Sequence, residues 1–198
     1  MLYRPILKLL ENPADEDQFA VRQNNFVSEI VKVEDTTGKS CGSSLIKIMK
    51  PNYVTGFTDG EGTFCISFNF RSKLKNKIEV RPSFSISQHK RNKKILEQIR
   101  EYFGVGGLRF SKRDQNYKYE VRSINDLVSK IVPHFRKYPL KTSKQKDFEI
   151  FAKICQLVNA NQHLNPKSLK EIIDWAYQMN ASGKRRYSKS ELLRFMTR

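Results

Sequence analysis

A chain of 198 residues with 38% hydrophobic side chains can bury one substantial core, and its 37 Lys and Arg against 20 Asp and Glu give a formal charge of +17. A polyanion relieves self-repulsion of that size, so nucleic acid is the expected partner; no apolar run approaches the roughly 20 residues that span a bilayer, and the basic residues are not confined to one amphipathic helix, so no membrane partner is expected. Cys41, Cys65 and Cys155 are odd in number and widely spaced, which excludes a disulfide framework and a cysteine-rich zinc site and suits a reducing compartment.

The excess charge is unevenly placed. Residues 1–50 hold seven basic and seven acidic side chains, leaving 30 of the 37 basic and 13 of the 20 acidic residues to the remainder. This neutral segment shows no sustained periodicity, and Asp35-Thr-Thr-Gly-Lys-Ser-Cys-Gly-Ser-Ser44 has the composition of a flexible linker. Gly38-Lys-Ser40 lacks the earlier glycine that a phosphate-binding loop requires. Met1–Leu10 contains Arg4 and Lys8, but Glu11, Asp15, Glu16 and Asp17 follow too closely for a transit peptide. The expected division is an N-terminal extension and linker over residues 1–50 and a folded domain over 51–198.

Pro51 suits the first position of a helix. That helix runs into Val54-Thr-Gly-Phe-Thr-Asp-Gly-Glu-Gly62, with Asp59 and Glu61 at its end. Gly56 and Gly60 are four apart and share one face, where a second helix could approach closely. From Thr63 the period changes to two: Phe64, Ile66, Phe68 and Phe70 point to a core, while Thr63, Cys65, Ser67, Asn69 and Arg71 point away. A basic turn containing Lys73 and Lys77 leads to a second alternating strand, with Val80, Pro82, Phe84 and Ile86 opposite Arg81, Ser83, Ser85 and Ser87.

Asn92 to Phe103 reads as an amphipathic helix with Ile95, Leu96, Ile99 and Phe103 on its stripe, ended by Gly104, Gly106 and Gly107. A hairpin of residues 108–112 and 117–124 places Arg109, Ser111, Lys118, Glu120 and Arg122 on its open face. Helices near 125–136, 143–158 and 167–179 follow, one carrying Phe148, Phe151, Ile154, Cys155 and Val158. The order is αββαββα with helical additions. This α+β pattern predicts a four-stranded antiparallel sheet packed by helices on one face, with the basic, hydroxyl-rich face open. Arg and Lys there suit guanine and phosphate, and Ser, Thr and Asn suit several base edges.

The segment Val54–Gly62, together with Phe84-Ser-Ile-Ser-Gln88, Phe103-Gly-Val-Gly106, Pro139-Leu-Lys-Thr-Ser-Lys-Gln-Lys146 and the Trp175 region, resembles the LAGLIDADG homing endonucleases, in the group with one motif per chain. The resemblance extends over residues 51 to 198. A calcium loop is excluded because the position eleven after Asp59 is Phe70, where such a loop needs a bidentate Glu. The resemblance implies a site-specific double-strand DNA endonuclease of intron homing, whose saddle-shaped sheet lies in the major groove. It implies Mg²⁺ (or Mn²⁺) held by Glu61 with the Gly60 carbonyl, a solvent-orienting role for Gln88, and a role for Lys144 in polarising the attacking water or stabilising the phosphate. Asp59 is a candidate for direct catalytic work, in competition with a structural role, capping or pairing at the helix end. The second basic position of the family falls at Asn92, followed by Lys93.

On the same grounds Thr63, Cys65, Ser67, Asn69, Arg71, Lys73, Lys77, Arg81, Ser83, Ser85, Ser87, Arg109, Ser111, Lys118, Glu120 and Arg122 are candidate DNA contacts. One acidic motif serves one strand, so a double-strand break calls for a homodimer packed through Gly56 and Gly60, and a long pseudo-palindromic double-stranded DNA site. His89, His134 and His163 have no mutual ligand spacing. The expected compartment is an organelle, a mitochondrion first and a chloroplast second, with the protein encoded there. The competing functions are an RNA-binding maturase for the host intron, which needs the basic surface without the chemistry of Glu61, and a non-enzymatic DNA-binding regulator.

Overall fold

The computed structural model describes residues 26–29, 46–180 and 183–196, with side chains from Met49 onward. The expected linker over 35–44 and Cys41 lie outside the described residues. Two short antiparallel strands, β1 (Phe26–Glu29) and β2 (Ile46–Met49), stand where the sequence showed no periodic element. Met49, next to the expected boundary at residue 50, is buried in the core.

Helix α1 (Pro51–Glu61) begins with proline at its first turn and ends at Gly62, whose N–H donates to Thr58 O. Strands β3 (Gly62–Phe70) and β4 (Ile78–His89) form a long hairpin closed by a turn in which Lys77 takes a φ of +55°. Helix α2 (Lys93–Phe103) buries Leu96, Ile99 and Phe103, and Gly104 ends it in the left-handed region at φ +66°. Strands β5 (Gly107–Ser111) and β6 (Asn116–Val121) complete a sheet of order β3-β4-β6-β5, all neighbours antiparallel. The last strand ends at Val121 rather than near Ile124, because Ser123 accepts a hydrogen bond from the Asp126 N–H and starts a helix.

That helix, α3, joins Ile124–Asp126, a π turn over Leu127–Ile131, and Val132–Lys137. Helices α4 (Lys144–Asn159), α5 (Pro166–Ala176) and α6 (Lys189–Met196) follow. The core lies between the sheet and these helices. At its centre Phe64 packs within 5.2–5.3 Å, ring to ring, of Phe84, Phe135, Phe148 and Phe151. Phe64, Ile66 and Phe68 of β3, and Val80, Phe84 and Ile86 of β4, are buried on this side, as the two-residue period requires.

Two carbonyls on the outer edge of β3 meet side chains. Asn180 Nδ2 donates to Phe64 O at 2.8 Å, and Arg185 Nη1 lies 3.5 Å from Ile66 O. Arg185 also donates to the carbonyls of Ala176 and Met179, which ties the end of α5 to the sheet edge. Among the described residues no helix is long and apolar enough to cross a membrane.

Candidate active site and nucleic-acid interface

The end of α1 and the start of β3 meet at Glu61 and Gly62. Glu61 and Gly60 are exposed, whereas Gly62 is buried. A Cβ on Gly62 would lie 2.4 Å from Thr58 Cγ2 and 2.8 Å from Thr58 O, so only glycine allows the helix to pass directly into the strand. The sequence signal for this was the second glycine of Gly60-Glu-Gly62. Gly62 pairs with Ile86, which puts Gln88, two residues further along β4, at the same end of the sheet. There Gln88 Oε1 accepts from Asn92 Nδ2 at 3.0 Å.

Lys144 and Asp59 join this junction to the start of α4. Lys144 Nζ donates to Thr58 O at 2.9 Å and to Asp59 O at 2.8 Å, placing a cation on the terminal carbonyls of α1, where the helix dipole favours positive charge. The Asp59 carboxylate accepts from Lys141 N at 2.6 Å and from Thr142 Oγ1 at 2.6 Å. Of the two roles expected for Asp59, the structure shows the structural one. Burial alone would raise the Asp59 carboxyl, but the hydrogen bonds from Thr142 and Lys141 and the Lys144 charge hold it below the usual aspartate range. Burial lowers the Lys144 ammonium, against the opposing pull of Asp59, Glu61 and Asp147. Lys144 is therefore within electrostatic reach of Glu61 while bonded to the helix end.

Lys93 is committed elsewhere, pairing with Glu97 at 2.7 Å and lying over the Tyr117 ring. Asn92 contacts Gln88 instead. Among the described residues no three His, Cys, Asp or Glu side chains converge as a metal site. With Asp59 engaged, one chain offers the Glu61 carboxylate and the exposed Gly60 backbone. These hard oxygen donors fit a Mg²⁺ or Mn²⁺ that keeps most of its water and shares the rest of its shell with phosphate.

The candidate DNA contacts lie on the open face of the sheet, in the β3–β4 turn and just past the end of β6. Thr63, Ser67, Arg71, Lys73, Lys77, Ser87, Arg109 and Arg122 are exposed, and Cys65, Asn69, Arg81, Ser83, Ser111 and Lys118 are half-buried. Cross-strand registers align Ser87, Lys118 and Arg109 in one row, and Ser67 with Arg81 in another. Ser85 and Glu120 have distinct surroundings. Ser85 is 7% exposed, because it lies between Thr63 and Glu120 in the inner strands. Glu120 is bracketed by Lys118 at 3.0 Å and Arg122 at 2.8 Å; burial would raise its carboxyl, but the two cations hold it below the ordinary range. Its role in the structure is to fix two basic side chains.

Gly56 and Gly60 face outward, and a Cβ at either position would meet nothing within 4 Å in the chain. Asn52 is exposed on the same face, and Tyr53 and Phe57 flank it half-buried. The opposite face of α1 buries Val54, Thr55 and Thr58.

Residues 54–155 match the family profile described as LAGLIDADG endonuclease. The chain belongs to that family. Among relatives, "Probable intron-encoded endonuclease 2" of Neurospora crassa is 31% identical over 133 residues, which are 67% of this chain and 29% of its own. Among solved structures, the homing endonuclease I-TnaI superposes with a TM-score of 0.66 at 34% identity, over 75% of this chain and 97% of its own. I-SmaMI, bound to an uncleaved DNA target in the presence of calcium ions, superposes with a TM-score of 0.68 at 29% identity, over 76% of this chain and 49% of its own. The chain spans between 24% and 47% of the first four curated relatives it matches. Val54–Gly62, the segment that resembles the motif, forms most of α1 and its exit into β3, and the fold is the one expected from the sequence.

Proposed function

We propose that the chain is a site-specific DNA endonuclease of intron homing that hydrolyses phosphodiesters with Mg²⁺ or Mn²⁺. The observation that carries this is the junction of α1 and β3, where Glu61 and the Gly60 backbone stand exposed at one end of an open basic sheet, with Lys144 bound beside them. Glu61 and the Gly60 carbonyl are the metal ligands in this reading. A divalent cation there would supply Lewis-acid charge for the phosphate and the leaving oxygen. Gln88 orients solvent, and the Lys144 ammonium stabilises charge at the reacting phosphate. Asp59 holds the loop from which Lys144 arises.

Double-strand cleavage calls for a second motif, which we assign to a second copy packed through Gly56 and Gly60. The open face of α1 at Gly56 and Gly60 supports this assembly, and two-fold symmetry gives a pseudo-palindromic double-stranded DNA target. The intron-encoded relatives support an intron origin, and with it expression inside an organelle, a mitochondrion before a chloroplast. Residues 1–50 remain an extension from the endonuclease domain in this proposal, apart from Met49, which packs into its core.

The test is cleavage of a plasmid carrying a candidate intron-insertion site, with Mg²⁺ and with EDTA. Mg²⁺-dependent linear product from the wild type, and none from Glu61→Gln, is the expected result. Tight, selective binding of intron RNA with no cleavage of any insertion site would replace the nuclease by a splicing role.

A further inference from the structure

Four polar or charged residues are buried among those described, and two of them, Thr55 and His134, are bonded to each other. Thr55 lies on the inner face of α1, its Oγ1 3.2 Å from His134 Nε2 and 3.1 Å from Tyr138 O. The other ring nitrogen, His134 Nδ1, lies 3.0 Å from the Tyr102 hydroxyl. The rings of Tyr102, Phe103, Phe135 and Tyr138 surround the imidazole at 4.7–5.3 Å. Burial holds it down at about 4, so it is neutral at neutral pH.

A neutral imidazole has one donor and one acceptor, and a hydroxyl has one proton. Only one arrangement makes all three contacts hydrogen bonds. Tyr138 O can only accept, so Thr55 donates to it; His134 Nε2–H then donates to Thr55, and the Tyr102 hydroxyl donates to Nδ1. The other tautomer takes the Thr55 proton for Nε2 and leaves the Tyr138 carbonyl without it. The histidine thus turns the threonine hydroxyl toward Tyr138.

Tyr138 opens the segment that continues through Lys141 and Thr142, the partners of Asp59, to Lys144. Thr55 and Asp59 are four apart on α1, so both pins run from one helical turn to the same segment. We propose that His134, as its Nε2–H tautomer, is a positioning residue for cleavage: it directs Thr55 onto Tyr138 and sets α1, with Glu61 at its end, against the segment that carries Lys144. The inference rests on the endonuclease reading above. It needs no contact between His134 and DNA.

The experiment compares wild type with His134→Phe, His134→Gln and Thr55→Val in the full chain. Single-turnover cleavage at saturating target is measured with Mg²⁺, affinity for the same target with Ca²⁺, and the ring tautomer by ¹⁵N–¹H NMR. His134→Phe and Thr55→Val should slow cleavage by about 10- to 100-fold, the scale of a small misplacement of reacting groups, with affinity within about threefold. Gln places an amide N–H near the position of Nε2 and should restore most of the rate, which a loss of general packing would not allow. The wild-type ring should show the Nε2–H pattern.

Wild-type rates in both Thr55→Val and a folded His134→Phe, or equal losses of rate and affinity, overturn the proposal. So does an Nδ1–H ring. If His134→Phe does not fold, Thr55→Val, which keeps the β-branched shape, decides. A wild type that cuts no insertion site overturns the endonuclease reading instead, and the NMR pattern still decides the relay.

Discussion

Lys144 and Asp59 are bound twice over, each through the other's main-chain surroundings. The Lys144 ammonium donates to the Asp59 carbonyl at 2.8 Å, and the Asp59 carboxylate takes the Lys141 N–H and the Thr142 hydroxyl just upstream of Lys144. A charge at the end of α1 and a charge at the start of α4 therefore fix one another's backbone. Either side chain can affect the site without touching DNA.

Lys144→Met should lower the single-turnover cleavage rate by roughly 10²–10⁴, as expected for a lost electrostatic or acid–base group, with a smaller effect on affinity. Because Nζ also occupies the terminal carbonyls of α1, the variant should lose about 1 kcal/mol of stability in urea unfolding. A variant that is destabilised but cleaves at the wild-type rate removes Lys144 from the chemistry and leaves it as a cap.

Asp59 should contribute to acid stability. Its carboxyl is held below the ordinary range in the folded state, so the contribution is present above about pH 4 and is lost as pH falls through the folded value. Asp59→Asn should flatten the acid limb of a stability-versus-pH curve below about pH 4. An unchanged limb shows that the contacts to Lys141 and Thr142 carry no net charge effect.

Glu61→Gln should abolish Mg²⁺-dependent cleavage and leave DNA binding intact, since Glu61 is exposed and lies outside the core. Mixed dimers of wild type and Glu61→Gln should nick one strand where the two sites act independently. A single chain per target that still makes double-strand breaks defeats the assignment to two copies.

Gly60 and Gly62 predict opposite phenotypes two residues apart. A side chain at Gly60 meets nothing in the chain, so Gly60→Leu should fold normally and fail to assemble on DNA, as seen by sedimentation. Gly62→Ala drives a methyl into Thr58 and should cost about 1–3 kcal/mol, the range for overpacking. Equal stability losses in both variants would remove the dimer reading of Gly60.

His134 gives stability a second pH dependence. Its folded pKa is lowered from 6.5 to about 4, with Thr55, Tyr102 and Tyr138 facing the ring and no charge among them. The unfolded state therefore binds the proton first as pH falls. Stability is complete above 6.5 and declines toward pH 4 by up to about 3 kcal/mol. Urea midpoints at pH 7 and 4.5 should converge in His134→Gln and diverge in wild type.

The sheet and its two faces were legible because β3 and β4 alternate strictly, Phe64 to Phe70 against Thr63 to Arg71. The exit of β6 was not, since Arg122 prolongs the alternation and only the Ser123 cap ends it. Helix α6 was also legible in principle: Ser188-Lys-Ser-Glu191 is a capping box, with Glu191 accepting from the Ser188 N–H and Ser188 Oγ from the Glu191 N–H. Asn180 and Arg185 left no local trace, because what they satisfy is a strand more than 110 residues earlier. The same holds for Thr55 and His134, 79 residues apart. Spacing along a chain reports faces, and it does not report partners.

The side chains lying along β3 also bear on how the protein behaves at high concentration. A strand with free carbonyls invites a neighbouring molecule to pair with it, and a chain this basic meets many copies of itself wherever a polyanion concentrates it. Asn180 and Arg185 take those acceptors before another molecule can. The C-terminal segment thus covers part of this edge, and a protein shortened to its matched region, which ends at residue 155, should aggregate more readily than the full chain, since it loses both these side chains and the core residues Leu169, Ile172 and Ile173.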